Sequence, residues 1–346
     1  MSAFVFSIFF LYISTLLLNA DLGFSYDYQY YIIYFEQVQK LSFHEIASIS
    51  NGMYVPLDYS SGIEIGFVYF IKLVSLFFDN VNLIYLLSVL LSLSIKIYVF
   101  REFKVGTLWT VLMLTLSVIL LEGNALRSGI SLSFYLLGLK SIKNGKESSS
   151  IVFFSLSVLF HIQATFFILV YMSLSFMPLR LINTRSKLFT ISVLFLISGF
   201  LLNYLIGFIS LSKVMFYSSQ GSTSGGVNVL SFLSGVFLLM YVLVSSELVS
   251  NHKQKILFLS VIPAYSIYLL ATNVSVVGDR LWQWGLIILI LASYSNSKKR
   301  LGKVLHVRSY SVVMIVLLVV FLVNILYRYP LTNIMSPLIG YIDLSR

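Results

Sequence analysis

No cysteine occurs anywhere in the 346 residues. Disulfides, thiolate metal sites and a cysteine nucleophile are thereby excluded. Histidine is scarce as well: His44, His161, His252 and His306 are scattered, with no pair at metal-ligand spacing. No metal and no other cofactor is expected. Charge is the third deficit. Asp, Glu, Lys and Arg make up 10% of the chain, against about 25% in a soluble domain. The sequence also lacks a soluble repeat and any strand-like alternation long enough for a barrel.

What remains is hydrocarbon. The chain is 58% hydrophobic, with a mean hydropathy of +0.93. Apolar segments fall near 3–20, 62–78, 81–99, 106–121, 125–139, 151–176, 188–209, 229–249, 256–272, 281–294 and 311–327. Such runs leave no room for a separate soluble domain. The expected fold class is all-α: a polytopic integral membrane protein with about 10–11 transmembrane or re-entrant helices, forming a single membrane-embedded domain over residues 1–346. The first run, "SAFVFSIFFLYISTLLLNA", has no basic n-region and no convincing cleavage site, and reads as a retained helix. A net charge of +10 would point to nucleic acid in a soluble protein. Here it reads as basic cytoplasmic loops attracted to membrane lipid headgroups, with no nucleic-acid partner.

Lys and Arg in short loops set the orientation. "SNSKKRLGKVLHVRSY", "NHKQK" and "RLINTRSK" read as cytoplasmic. The Gly/Ser-rich loop at 210–228 and "GDR" at 278–280 are then outside. Residues 20–61 hold Asp21, Asp27, Glu36, Glu45 and Asp58 against Lys40 alone, and read as an outer, periplasmic loop. Strict alternation of the crossings would put "REFK" and "KSIKNGKE" outside, against the positive-inside rule. Placing them inside requires that 62–78 and 151–176 both fail to make a simple crossing. Re-entrant or broken helices do this where protein or a wet cavity surrounds them. That second topology is preferred, and it puts Arg127 at the outer mouth of a short helix.

Ionisable groups at membrane depth are costly and mark candidate sites. Each also has a structural reading as a bundle-stabilising ion pair or a snorkelling side chain. Arg127, in "EGNALRSGISLSF", opens a helix rich in small and hydroxyl residues. Its planar fork beside helix N-terminal amides suits an anion such as phosphate. Arg280, in "VVGDRLWQWG", repeats the arrangement, with Trp282 and Trp284 as interfacial anchors. Glu64, in "SGIEIGFVYF", either meets a helix dipole or acts as a base raised by desolvation. His161, in "VLFHIQATFF", is a hydrogen-bonded structural histidine or a participant in chemistry. In "GFSYDYQYYIIYFEQVQK", Tyr28, Tyr31 and their neighbours surround Asp27. Tyrosines at this density suit a membrane interface or a sugar.

The order "DYQYY", "EIGF", "ALRSGISLSFYLLGLKSIKNGK", "VLFHIQATFF" resembles the EpsG-like branch of the Wzy polysaccharide polymerases. The resemblance covers roughly residues 20–175 and continues more weakly to Arg280. The sequence departs from the family at Ile65, where proline is usual, and in having one helix before the Asp-Tyr segment where two are common. The resemblance implies a glycosyltransferase of the bacterial inner membrane, multi-pass, with its active site facing the periplasm. It would polymerise undecaprenyl-pyrophosphate-linked repeat units of O-antigen or a related surface polysaccharide, with neither nucleotide nor metal required. Its implied partners are those lipid-linked glycans, a chain-length regulator and a flippase of the same pathway.

On this basis Arg127 and Arg280 would hold the diphosphate, and Glu64 would be the leading base with Asp27 second. His161 would orient a partner or assist proton movement, and Tyr28 and Tyr31 would contact sugar or lipid. The rival enzyme readings are an O-antigen ligase, using the same donor, and a membrane acyltransferase. A lipid-linked oligosaccharide flippase or transporter is the rival from another class; it would favour two similar halves and a midplane site. A purely structural membrane scaffold is the fallback.

Overall fold

A computed structural model of the chain describes residues 28–57, 62–106, 125–176 and 275–297, together with 110, 113–114, 117, 121–122, 256–257 and 259–264. The first apolar run, Asp27, Asp58, the loop at 210–228 and the apolar segments near 188–209, 229–249 and 311–327 lie outside the described residues. The chain divides into two compact units, one of Met1–Phe166 with Leu331–Arg346 and one of Phe167–Pro330.

The first unit is mostly helical, and its described elements run α1 (Tyr28–Lys40), α2 (Phe43–Ile49), β1 (Tyr54–Val55), β2 (Ile63–Glu64), α3 (Ile65–Ser75), α4 (Val81–Glu102), α5 (Leu126–Lys143) and α6 (Glu147–Phe160). Helix α7 (Gln163–Phe176) starts at its end and continues into the second unit, where α8 (Ser275–Ser297) lies. Two findings add to the sequence reading. The stretch taken as an outer loop, 20–61, contains two helices. A two-residue antiparallel strand pair, β1–β2, interrupts the all-α expectation.

Local chemistry explains the boundaries. Ser42 and Glu45 form a capping box that starts α2, the Ser42 hydroxyl accepting from the Glu45 N–H and the Glu45 carboxylate from the Ser42 N–H. That backbone bond to Ser42 holds the Glu45 carboxyl below its ordinary range. Asn80 starts α4 by accepting from the N–H groups of Asn82 and Leu83. Among the described residues α4 alone is long and apolar enough to cross a membrane, with a mean hydropathy of 2.1. The 11 residues of α3 span only about 16 Å at 1.5 Å per residue, well short of a ~30 Å hydrocarbon core. The apolar run 151–176 is two helices, because His161 takes an extended conformation between α6 and α7. Its backbone stays satisfied at the break: His161 N–H donates to Ser157 O, and His161 O accepts from Ala164 N–H, both at 3.0 Å.

Helices α4 and α5 run parallel. Tyr85 and Ser92 lie beside the residues leading into α5 and its first turns, and Tyr98 and Glu102 beside its end at Lys140 and Lys143. Helix α6 returns antiparallel along α5, with Phe154 on Tyr135, Ser157 on Ser131 and Phe160 on Phe134. The ends of α1 and α3 meet the start of α4: Lys72 Nζ donates to Gln39 O, and Gln39 Nε2 donates to Asp79 O. Helix α3 therefore turns back against α4.

Candidate active site

Glu64 is the last residue of β2 and the residue before α3. Its side chain makes no capping bond to the helix. It is committed elsewhere. Arg127 Nη1, from the first turn of α5, donates to Glu64 Oε2. On the other oxygen, His161 Nδ1 lies 2.8 Å from Glu64 Oε1. An ionised carboxylate has no proton to give, so Nδ1 carries the hydrogen and Nε2 is the nitrogen able to take one. Residues 63 and 97 positions from Glu64 along the chain thus converge on one carboxylate.

The packing that produces this is specific. Gly66 sits against the backbone of α6, where a β-carbon would lie 2.7 Å from the Leu159 carbonyl oxygen. That close approach brings β2 beside the break at His161. On the other flank of α6, Ser131 and Ser157 each donate their hydroxyl to the other's carbonyl at 2.7 Å. Small, reciprocally bonded residues let apolar helices approach closely, which aligns Arg127 with His161. Around α3 an aromatic wall forms from Tyr31, Phe35, Phe67, Tyr85 and Phe160, with ring centroids 5.9–6.5 Å apart.

The three side chains differ in exposure. The Glu64 side chain is 1% exposed, whereas Arg127 is 17% and His161 11% exposed. Tyr31 is 2% exposed and belongs to the aromatic wall. Tyr28 opens α1. Arg280 stands near the start of α8, half-buried in the second unit. Trp284, read as a belt residue, is instead fully buried and stacked on Phe167 at 5.2 Å.

A second buried ion pair went unassigned in the sequence. Lys96 Nζ, in the middle of α4, donates to Glu122 Oε1 and, at 2.7 Å, to Ser117 Oγ. Ser92 Oγ donates to the same carboxylate oxygen at 2.7 Å, and Tyr85 Oη donates to the Glu122 carbonyl at 2.8 Å. Gly129 makes the room, since a β-carbon there would lie 2.8 Å from Glu122 Oε1. The signal was available: a lone lysine inside "LSLSIKIYVF" is an intramembrane charge in need of a partner.

These features define a mostly helical, apolar protein with a polar three-residue site opening from its interior. The chain belongs to the EpsG family, whose profile matches residues 4–341. No curated protein and no solved structure matches it. The family is one of membrane-associated, polysaccharide polymerase-like proteins, and the chain takes its place among the proteins of polysaccharide biosynthesis.

Proposed function

We propose that this chain is a membrane glycosyltransferase that polymerises undecaprenyl-pyrophosphate-linked oligosaccharide repeat units at the outer face of the bacterial inner membrane. The convergence of Glu64, Arg127 and His161 carries the reading. In the reaction an acceptor hydroxyl attacks the anomeric carbon of the donor. The new C–O bond forms as the bond to the diphosphate breaks, and that electron pair leaves on the diphosphate. Arg127 is always charged and presents a planar fork, so it neutralises the leaving anion. The acceptor's proton goes to His161 Nε2. Glu64, buried behind both, orients the imidazole and stabilises the imidazolium that forms. This divides the labour differently from the sequence reading, in which Glu64 was the leading base.

Charge placement supports the outer location. Arg127 opens α5, and Lys140 and Lys143 close it, about 24 Å further along at 1.5 Å per residue. At that far end Lys143 Nζ donates to Glu102 O, beside Arg101 and Lys104. "REFK" and "KSIKNGKE" thus share one basic end, which the positive-inside rule assigns to the cytoplasm. The short α3 and the break at His161 are in keeping with the two non-crossing segments that this orientation needs.

The test is the polysaccharide size profile of cells carrying Arg127→Ala at matched membrane abundance. The expected result is collapse of the ladder to a single repeat unit while ligation continues. A full ladder would make Arg127 a structural residue and overturn the site. Loss of the single-unit band as well would point to ligation or flipping.

A further inference from the structure

The strand pair β1–β2 places one more side chain beside the three groups. Tyr54 stands directly opposite Glu64 in the antiparallel register, so the two side chains leave the same face. Val55 and Ile63, on the other face, are 0% and 1% exposed. Both polar groups of the Tyr54 backbone are held by Asn51: its carbonyl accepts from Asn51 N–H at 2.7 Å, and its N–H donates to Asn51 O at 3.2 Å. Ile65 N–H donates to Met53 O at 2.8 Å, tying the turn to the start of α3. Gly62 completes the arrangement. Its φ of +111° is one that L side chains rarely adopt, and a β-carbon there would lie 3.0 Å from Tyr54 Cβ. The hairpin is thus shaped around Tyr54, which remains half-buried where Glu64 is fully buried.

We propose that Tyr54 is a further substrate-binding residue, its phenol O–H donating to the diphosphate held by Arg127. The inference rests on the functional reading above and adds no covalent step. Burial and then the Glu64 charge push the Tyr54 phenol up, with Arg127 partly opposing. The group therefore stays protonated at neutral pH and is a hydrogen-bond donor. Two donors of different kinds, one charged and one neutral, would then grip the anion from α5 and from the hairpin. A hydrogen bond to an ionised group is among the stronger ones available.

The experiment uses the full chain in lipid nanodiscs and measures binding of undecaprenyl diphosphate and, separately, of inorganic pyrophosphate. Tyr54→Phe should weaken diphosphate binding roughly tenfold, the loss of one hydrogen bond to a charged acceptor. Gly62→Ala, which displaces the ring and keeps the hydroxyl, should weaken it too. Arg127→Ala should weaken it more. Parallel losses for both probes identify the diphosphate head as the group Tyr54 contacts; losses for the lipid alone place the same contact on the membrane-bound form. If Tyr54→Phe binds like the parent while Arg127→Ala does not, the proposal falls and the functional reading stands. Should the parent bind neither probe, the diphosphate reading fails and takes the role of Tyr54 with it.

Discussion

Two carboxylates, Glu64 and Glu122, lie buried in the same unit, one paired with an arginine and the other with a lysine, and they are finished differently. The Lys96–Glu122 pair is sealed, with both side chains 0% exposed. Three serines surround it: Ser92 donates to Glu122, Ser117 accepts from Lys96, and Ser133 is joined through Ser92. The Glu64–Arg127 pair is 17% exposed on the arginine side, and its second carboxylate oxygen meets the His161 imidazole. The first arrangement gathers its bonds on one buried oxygen, Glu122 Oε1, and leaves Oε2 buried without a hydrogen bond. The second keeps a charged fork and an imidazole at an accessible edge. A buried ion pair by itself therefore says little about function; its opening and the chemistry of its third member decide.

The comparison breaks most sharply on the sealed side. Lys96→Met leaves the Glu122 carboxylate buried without its counter-charge, and such losses cost about 3–5 kcal/mol. The purified protein should show a large drop in thermal midpoint and in recovery as a single species by size exclusion. An unchanged midpoint would mean that the pair is not part of the folded core.

Arg127→Ala is expected to behave in the opposite sense. Glu64 keeps His161 and a wetter edge, so the fold should survive. Polymerisation at matched abundance should fall by about 10²–10³-fold, the usual effect of removing one donor that stabilises developing negative charge. His161→Gln comes next, with a loss of about 10²-fold, the low end for a general base. The amide can still donate to Glu64 but cannot take the acceptor's proton. A product ladder of normal length and rate from His161→Gln would remove the histidine from the chemistry.

Paired replacements sharpen the contrast. Lys96→Met with Glu122→Met should recover most of the stability lost by Lys96→Met alone, because removing both charges is often close to neutral. Arg127→Met with Glu64→Met should likewise fold but make no polymer. Recovery of polymer in the second pair would show that the open site is structural after all, like the sealed one.

The sequence reading reached the family, and it singled out one by one the three residues that the fold brings together. Charge is so sparse that Glu64, Arg127 and His161 stood out singly, each an ionisable group in an apolar run. Their meeting was not legible, because it depends on Gly66 against Leu159 and on the Ser131–Ser157 bridge, contacts between helices far apart in the chain. Lys96 was passed over for a related reason: its acid comes from 26 residues downstream rather than from the next turn of α4. Tyr54 gave no signal, since a two-residue strand carries too little alternation to read. The capping box "SFHE" that starts α2 was legible in principle, but the acidic balance of residues 20–61 directed attention to its side of the membrane instead of its helices.

The smallest effects test whether serines in the two regions do different work. Ser131→Ala removes one hydroxyl that donates to the Ser157 carbonyl, while Ser157 still donates to the Ser131 carbonyl. A neutral bond of this kind is worth about 1 kcal/mol. Ser92→Ala removes a donor to the Glu122 carboxylate, and bonds to charged groups contribute about 1.5–3 kcal/mol. Thermal midpoints of the two variants should therefore separate, with Ser92→Ala the lower. Equal midpoints would mean that the Glu122 charge is already satisfied by Lys96 alone. The serine shell would then be packing, and what sets the sealed region apart would reduce to its burial.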